Sequence, residues 1–86
     1  MNKIRVVIDT QTDVMKFVNI ANSIEEEVIL EDNTHFRADA KSLMGVMYGR
    51  FEFKELYVLS EYPNLTSKFI DFVIWLKPIG SSNRFF

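Results

Sequence analysis

The sequence predicts an α+β domain of two layers, an antiparallel sheet with three helices packed on one face and the other face open. Four short segments carry strand patterning, and three carry apolar residues at helical spacing. Together they run in the order βαββαβα within 86 residues. A chain of this length buries only somewhat more than about 60% of the surface its unfolded form exposes, so one domain is expected and every packed element matters. No repeat, low-complexity tract or long linker divides it.

Ile4, Val6 and Ile8 alternate with Arg5 and Val7, the period of two that marks a strand with a buried face. Thr10 precedes Asp13 by three positions, a weaker form of the capping box, and Val14, Phe17, Val18 and Ala21 then follow the apolar stripe of a first helix. Residues 27–31 and 34–38 are β-type runs joined by Asp32-Asn33, a pair that tolerates the positive φ of a tight hairpin turn. Residues 42–48 predict a short second helix, with Gly49 able to stop it in the left-handed conformation. Residues 55–60 predict the fourth strand. Asn64 or Thr66 opens a last helix whose Leu65, Phe69, Phe72, Val73 and Leu76 share one face, ended by Pro78 and Gly80.

Alternation along the strands sends Ile4, Val6, Ile8, Val28, Leu30, Leu56 and Val58 toward the helices. It sends Val7, Ile29, Tyr57 and Leu59 to the opposite side. That face is more apolar than an open sheet face ordinarily is, and either a second copy (homo-oligomerisation) or the tail of residues 79–86 is expected to cover it.

A net charge of −2 without a Lys/Arg cluster gives no footprint for nucleic acid. The absence of cysteine removes disulfides, thiolate metal sites and thiol nucleophiles, and fits a reducing compartment. The longest apolar run, residues 72–76, is far short of the roughly 20 residues that span a bilayer. A cytoplasmic protein without membrane contact is expected. His35 has no second histidine to complete a metal site and is read as a solvated strand residue beside Arg37, while Glu25, Glu26 and Glu27 read as a solvated loop. Phosphate loops, GxGxxG and a Ser-His-Asp arrangement are all missing, so neither a cofactor nor enzymatic activity is expected.

One segment is far more specific. Ala40-Lys-Ser-Leu-Met-Gly-Val-Met47 resembles the (N/A)-K-S-(I/L)-M-G-V-M segment of the HPr phosphocarriers of the bacterial sugar phosphotransferase system. The element order is similar to theirs over roughly residues 3–77. The resemblance implies a sheet ordered 1-4-2-3, a domain over residues 1–78 and a tail over 79–86. It also implies a phosphorylatable histidine at the start of helix 1, in a G-(I/L)-H-A-R-P-A motif where helix N-terminal donors stabilise the phosphoryl group.

Here the corresponding stretch is Asp9-Thr-Gln-Thr-Asp-Val-Met15, which sets Gln11 at the histidine position and Asp13 at the arginine position. An amide is a poor phosphoryl acceptor and a carboxylate repels the dianion, so phosphocarrier chemistry is expected to be absent. A glutamine paired with a retained serine, here Gln11 with Ser42, is similar to the catabolite-repression HPr-like branch of the family. Asp13, Tyr48-Gly49-Arg50 and the Phe-rich end depart from it.

Ser42 reads two ways. As a helix N-cap it contributes about 1 kcal/mol; within the family motif it is a phosphorylation site for a dedicated kinase, where the helix dipole favours the added charge. Lys41, Leu43, Met44 and Met47 beside it are expected to form a partner-binding patch, since a short helix cannot bury all its sides. The partner implied is a transcription regulator, a kinase or a metabolic enzyme. The alternative is a structural or oligomerising module that inherited the fold and associates through its apolar sheet face.

Overall fold

The computed structural model describes residues 1–74. The elements in order are β1 (Asn2–Val6), α1 (Gln11–Asn22), β2 (Val28–Glu31), β3 (Arg37–Asp39), α2 (Leu43–Glu52), β4 (Leu56–Ser60) and α3 (Leu65–Lys68). The four strands form one antiparallel sheet in the order β1-β4-β2-β3. Ile4 lies opposite Val58, and Val58 opposite Leu30, so the inward residues of three strands stand in one row. The tail of residues 79–86, together with Trp75, Leu76 and Pro78, lies outside the described residues.

The core sits between the sheet and the helices. Val6, Ile8, Val28, Leu30, Leu56 and Val58 from the sheet side meet Val14, Phe17, Val18 and Ala21 of α1, with Leu65, Phe69 and Phe72 closing one end. Phe17 anchors this end, its ring 4.8 Å from Phe69 and 5.5 Å, edge-on, from Phe72, geometries that add to plain burial. Ser60, the one buried polar residue among the described residues, is satisfied: its Oγ donates to the Glu27 carbonyl at 2.7 Å and accepts from Tyr62 N at 3.2 Å.

Helix α1 begins as its sequence dictates. Thr10 Oγ1 accepts from Asp13 N at 3.0 Å, and Asp13 Oδ2 accepts from Thr10 N at 3.2 Å, a reciprocal capping box.

Four features differ from the sequence expectation. First, the β2–β3 connection is a five-residue loop over 32–36 instead of a two-residue turn. Asp32 is the cause: its carboxylate accepts from Thr34 N and Phe36 N, both at 2.9 Å, and from the Thr34 hydroxyl, while Asn33 takes φ 76°. His35 is therefore an exposed loop residue, not a residue of strand 3.

Second, α2 runs straight through Gly49 to Glu52. Gly49 is there for space: a Cβ on it would stand 2.7 Å from Phe36 Cε2 and 3.3 Å from Leu30 Cδ2. The Phe36 ring occupies that position because it stacks on Phe53 at 4.9 Å and meets Tyr48 at 5.7 Å.

Third, the last helix is a single turn. After Lys68 the chain turns back along the outer edge of β1, where Val7 N donates to the Phe72 carbonyl at 2.8 Å and Ile74 N to the Arg5 carbonyl at 3.1 Å around a Val6–Val73 bridge. Leu65, Phe69 and Phe72 are buried as expected, but by a turn and an extended segment.

Fourth, the open face is less apolar than alternation suggests. Val7 is 38% exposed, but Ile29 is only 4% exposed, and Tyr57 and Leu59 are half-buried. The register explains it: Lys3 stands opposite Leu59, Arg5 opposite Tyr57 and Arg37 opposite Glu31. Long charged side chains thus flank the apolar ones. Glu31 pairs with Lys3 at 3.6 Å and Arg37 at 3.4 Å, and the Lys3 ammonium lies 4.7 Å from the centre of the Tyr57 ring.

Candidate functional site

The first turn of α1 is where the family resemblance expects phosphoryl chemistry. Gln11 is its first residue and is exposed. Two of the backbone donors beside it are already engaged, since the Asp13 carboxylate accepts from both Asp9 N and Thr10 N at 3.2 Å. A fixed negative charge at the start of the helix serves the helix dipole. The same charge repels a phosphate at that place.

Arg50 completes this corner, and no sequence pattern pointed to it. From the last turn of α2 it donates through Nε at 3.0 Å, and through a second guanidinium nitrogen, to the Asp9 carbonyl. The two helices are tied at their other ends by Asn22 Nδ2, which donates to the Val18 carbonyl at 2.9 Å and the Lys41 carbonyl at 3.1 Å. The two polar contacts fix α1 and α2 side by side.

Ser42 stands at the start of α2, exposed, with extended backbone at φ −95°, ψ 119°. Its Oγ accepts from Gly45 N at 3.2 Å, and its own N–H donates to the Asp39 carbonyl at 3.0 Å. The hydroxyl is thus both a cap and an accessible group. The first turn of α2 contains no acidic residue, in contrast to α1, so the positive end of its dipole is not neutralised by the helix's own side chains. Lys41 sits beside it, half-buried, its N–H donating to Asp39 Oδ1 at 2.9 Å and its Nζ lying 3.4 Å from the Glu25 carbonyl.

The apolar residues after Ser42 divide by direction. Met47 packs partly against the core, Leu43 is exposed, and Met44 is 80% exposed. The exposed surface continues beyond the residues expected from sequence to Tyr48 and to Phe51, which is 70% exposed. Met44, Tyr48 and Phe51 recur at i, i+4 and i+7, the spacing of one helix face. That signal was available in the sequence but was hidden by reading Gly49 as the end of the helix.

The remaining expected residues do not converge on this face. Val7, Ile29, Tyr57 and Leu59 belong to β1, β2 and β4 or the residue after β1, on the side of the sheet away from the helices. Tyr57 Oη donates to Glu55 Oε2 at 3.0 Å, and that bond holds the phenol above its ordinary pKa. A groove of about 360 Å³ between the end of β1 and the last turn of α2 is lined by Asp9, Arg50 and Lys54 among apolar residues; it holds no hydroxyl, thiol or imidazole side chain beside a base. Among the described residues no group of three His, Cys, Asp or Glu could hold a metal ion, and no helix is long and apolar enough to cross a membrane.

An open-faced sheet in the order 1-4-2-3, with three helices in the order βαββαβα, is the fold of the HPr proteins. The likeness is measurable. The crystal structure of HPr-C-His from Thermoanaerobacter tengcongensis superposes with a TM-score of 0.65, over 83% of this chain and 89% of that one, at 19% sequence identity. At that identity the match establishes the fold. No protein-family profile matches the sequence, and no curated protein matches it.

Proposed function

We propose that this chain is a non-catalytic regulatory protein of the HPr fold, cytoplasmic and of the bacterial carbon-regulation type, which acts by binding a protein partner around Ser42. The observation that carries this reading is the exposed Ser42 hydroxyl at the start of α2, flanked by Lys41 and by exposed Leu43 and Met44. Phosphorylation at Ser42 changes the charge of this face without unfolding it. The phosphate meets the positive end of the helix, an interaction of about 0.3–1 kcal/mol, and the added charge selects which partner the apolar patch accepts. Gln11 and the Asp13 carboxylate at the start of α1 support the second half of the reading, the loss of phosphoryl transfer.

The test has two arms. Incubation with an HPr serine kinase and ATP is expected to add one phosphate, mapped by mass spectrometry to Ser42 and abolished by Ser42→Ala. Incubation with phosphoenolpyruvate and the first enzyme of the phosphotransferase system is expected to leave the protein unlabelled. No phosphate at Ser42 defeats the regulatory reading, and labelling at His35 defeats the non-carrier reading.

A further inference from the structure

The outer edge of β1 is covered over one half of its length. Val7 N donates to the Phe72 carbonyl and Ile74 N to the Arg5 carbonyl, on either side of the Val6–Val73 bridge. This is an antiparallel ladder, in which every second residue of β1 turns its N–H and C=O outward. Arg5 and Val7 are two of these residues. Lys3 is the next in the alternation, and no described residue bonds to its main chain on that side.

Beside this bare half lies a groove of about 310 Å³, bounded by Asn2, Lys3 and Ile4 and, across from them, by residues 63–67. Its apolar lining is unfinished. Ile4 shares a row with Val58 and Leu30, both fully buried, yet is itself only half-buried, although it packs against the same core as Leu65. An apolar side chain laid against Ile4 from the edge would complete the row.

We propose that residues 75–77 carry the chain onward along β1 as the rest of a fifth strand, with the Trp75 indole seated in this groove. The register decides it. With Val73 opposite Val6, Trp75 comes opposite Ile4, Leu76 opposite Lys3 and Lys77 opposite Asn2. Residues directly opposed in an antiparallel pair project on one face, so Trp75 shares the helix side with Ile4 and Val73, where the groove is. A strand residue advances about 3.3 Å, so the indole reaches Ile4 one step after Ile74 and needs no connecting loop. Leu76 supplies the N–H and C=O that Lys3 lacks. The ladder next calls for an N–H at Pro78, opposite Met1, and proline has none, which sets the end of the strand. The β1 edge is thereby closed to any partner's strand by this chain's own.

Trp75 is the single tryptophan, so its fluorescence in the full chain reads the groove directly. Its emission is expected to lie to the blue of the urea-unfolded chain, with several-fold weaker quenching by acrylamide, and nuclear Overhauser contacts are expected between the indole and the Ile4 and Leu65 methyl groups. Trp75→Ala is expected to speed hydrogen exchange at the Lys3 amide at least about tenfold while leaving the Val58 amide unchanged. An indole as open to acrylamide as in the unfolded chain overturns the proposal, as do Overhauser contacts that place it away from Ile4. A Lys3 amide indifferent to Trp75→Ala overturns the strand register. A blue shift that develops only as protein rises from about 1 μM to about 100 μM assigns the groove to a second copy and overturns it likewise. None of these measurements involves Ser42, so this assignment and the regulatory reading fail or stand separately.

Discussion

Asp32 organises a loop with one carboxylate. The Thr34 hydroxyl is its foremost donor, with the backbone N–H groups of Thr34 and Phe36 adding to it and partial desolvation opposing them; the result is a carboxyl held below its ordinary pKa. The group therefore favours the folded loop at pH above its unfolded value near 3.8, and that contribution is lost as pH falls through the lower folded value. An NMR titration is expected to show Asp32 titrating below 3.8, with the Thr34 and Phe36 amide signals moving in step, and Asp32→Asn is expected to remove that coupled movement. Gly49 is the second residue on which much rests. Gly49→Ala gains about 1 kcal/mol of helix propensity but drives a methyl group to 2.7 Å from a Phe36 ring held between Tyr48 and Phe53. Overpacking wins, and a net loss of about 1–3 kcal/mol is expected in urea unfolding.

At the level of elements, what the sequence disclosed depended on whether the deciding forces were local. α1 was legible because its cap, Thr10 with Asp13, and its stripe of Val14, Phe17, Val18 and Ala21 are read within one turn or two. The end of α2 was not. Gly49 carries the same local signal as a stop, and only the ring of Phe36, thirteen positions earlier, makes it an interior residue. The last helix misled for a related reason: Leu65, Phe69 and Phe72 meet the core equally well from one helical turn and an extended segment, and the free edge of β1 decides in favour of the latter. Ile74→Pro removes the donor to the Arg5 carbonyl. It is expected to cost about 0.5–1.5 kcal/mol and to speed hydrogen exchange at the Val7 amide, which is otherwise bonded to Phe72.

For the whole molecule, the α+β class, the two layers and most of the core followed from periodicity and order. The strand order came through resemblance, since alternation alone does not say which strands are neighbours. The site was only partly legible. Ser42, Leu43 and Met44 stood out in sequence, whereas Arg50, Tyr48 and Phe51 depended on where α2 ends. The charged flanks that narrow the apolar sheet face depended on register, which sets Lys3 and Arg5 beside Leu59 and Tyr57. So small a domain concentrates its stability in few side chains. Phe69, fully buried against Phe17, is one of them, and Phe69→Ala is expected to cost about 3–5 kcal/mol in urea unfolding, a large share of the 5–15 kcal/mol typical of a folded domain.

Residues 72–74 lie along β1 from Arg5 to Val7, while β3, only three residues long, borders the sheet on the other side. Endless ribbons grow only when a molecule offers two vacant margins, one to receive a neighbour and one to offer the next. With the Arg5–Val7 end of one margin covered by its own chain, a neighbour's strand can lie along the whole of β1 only after residues 72–74 peel away.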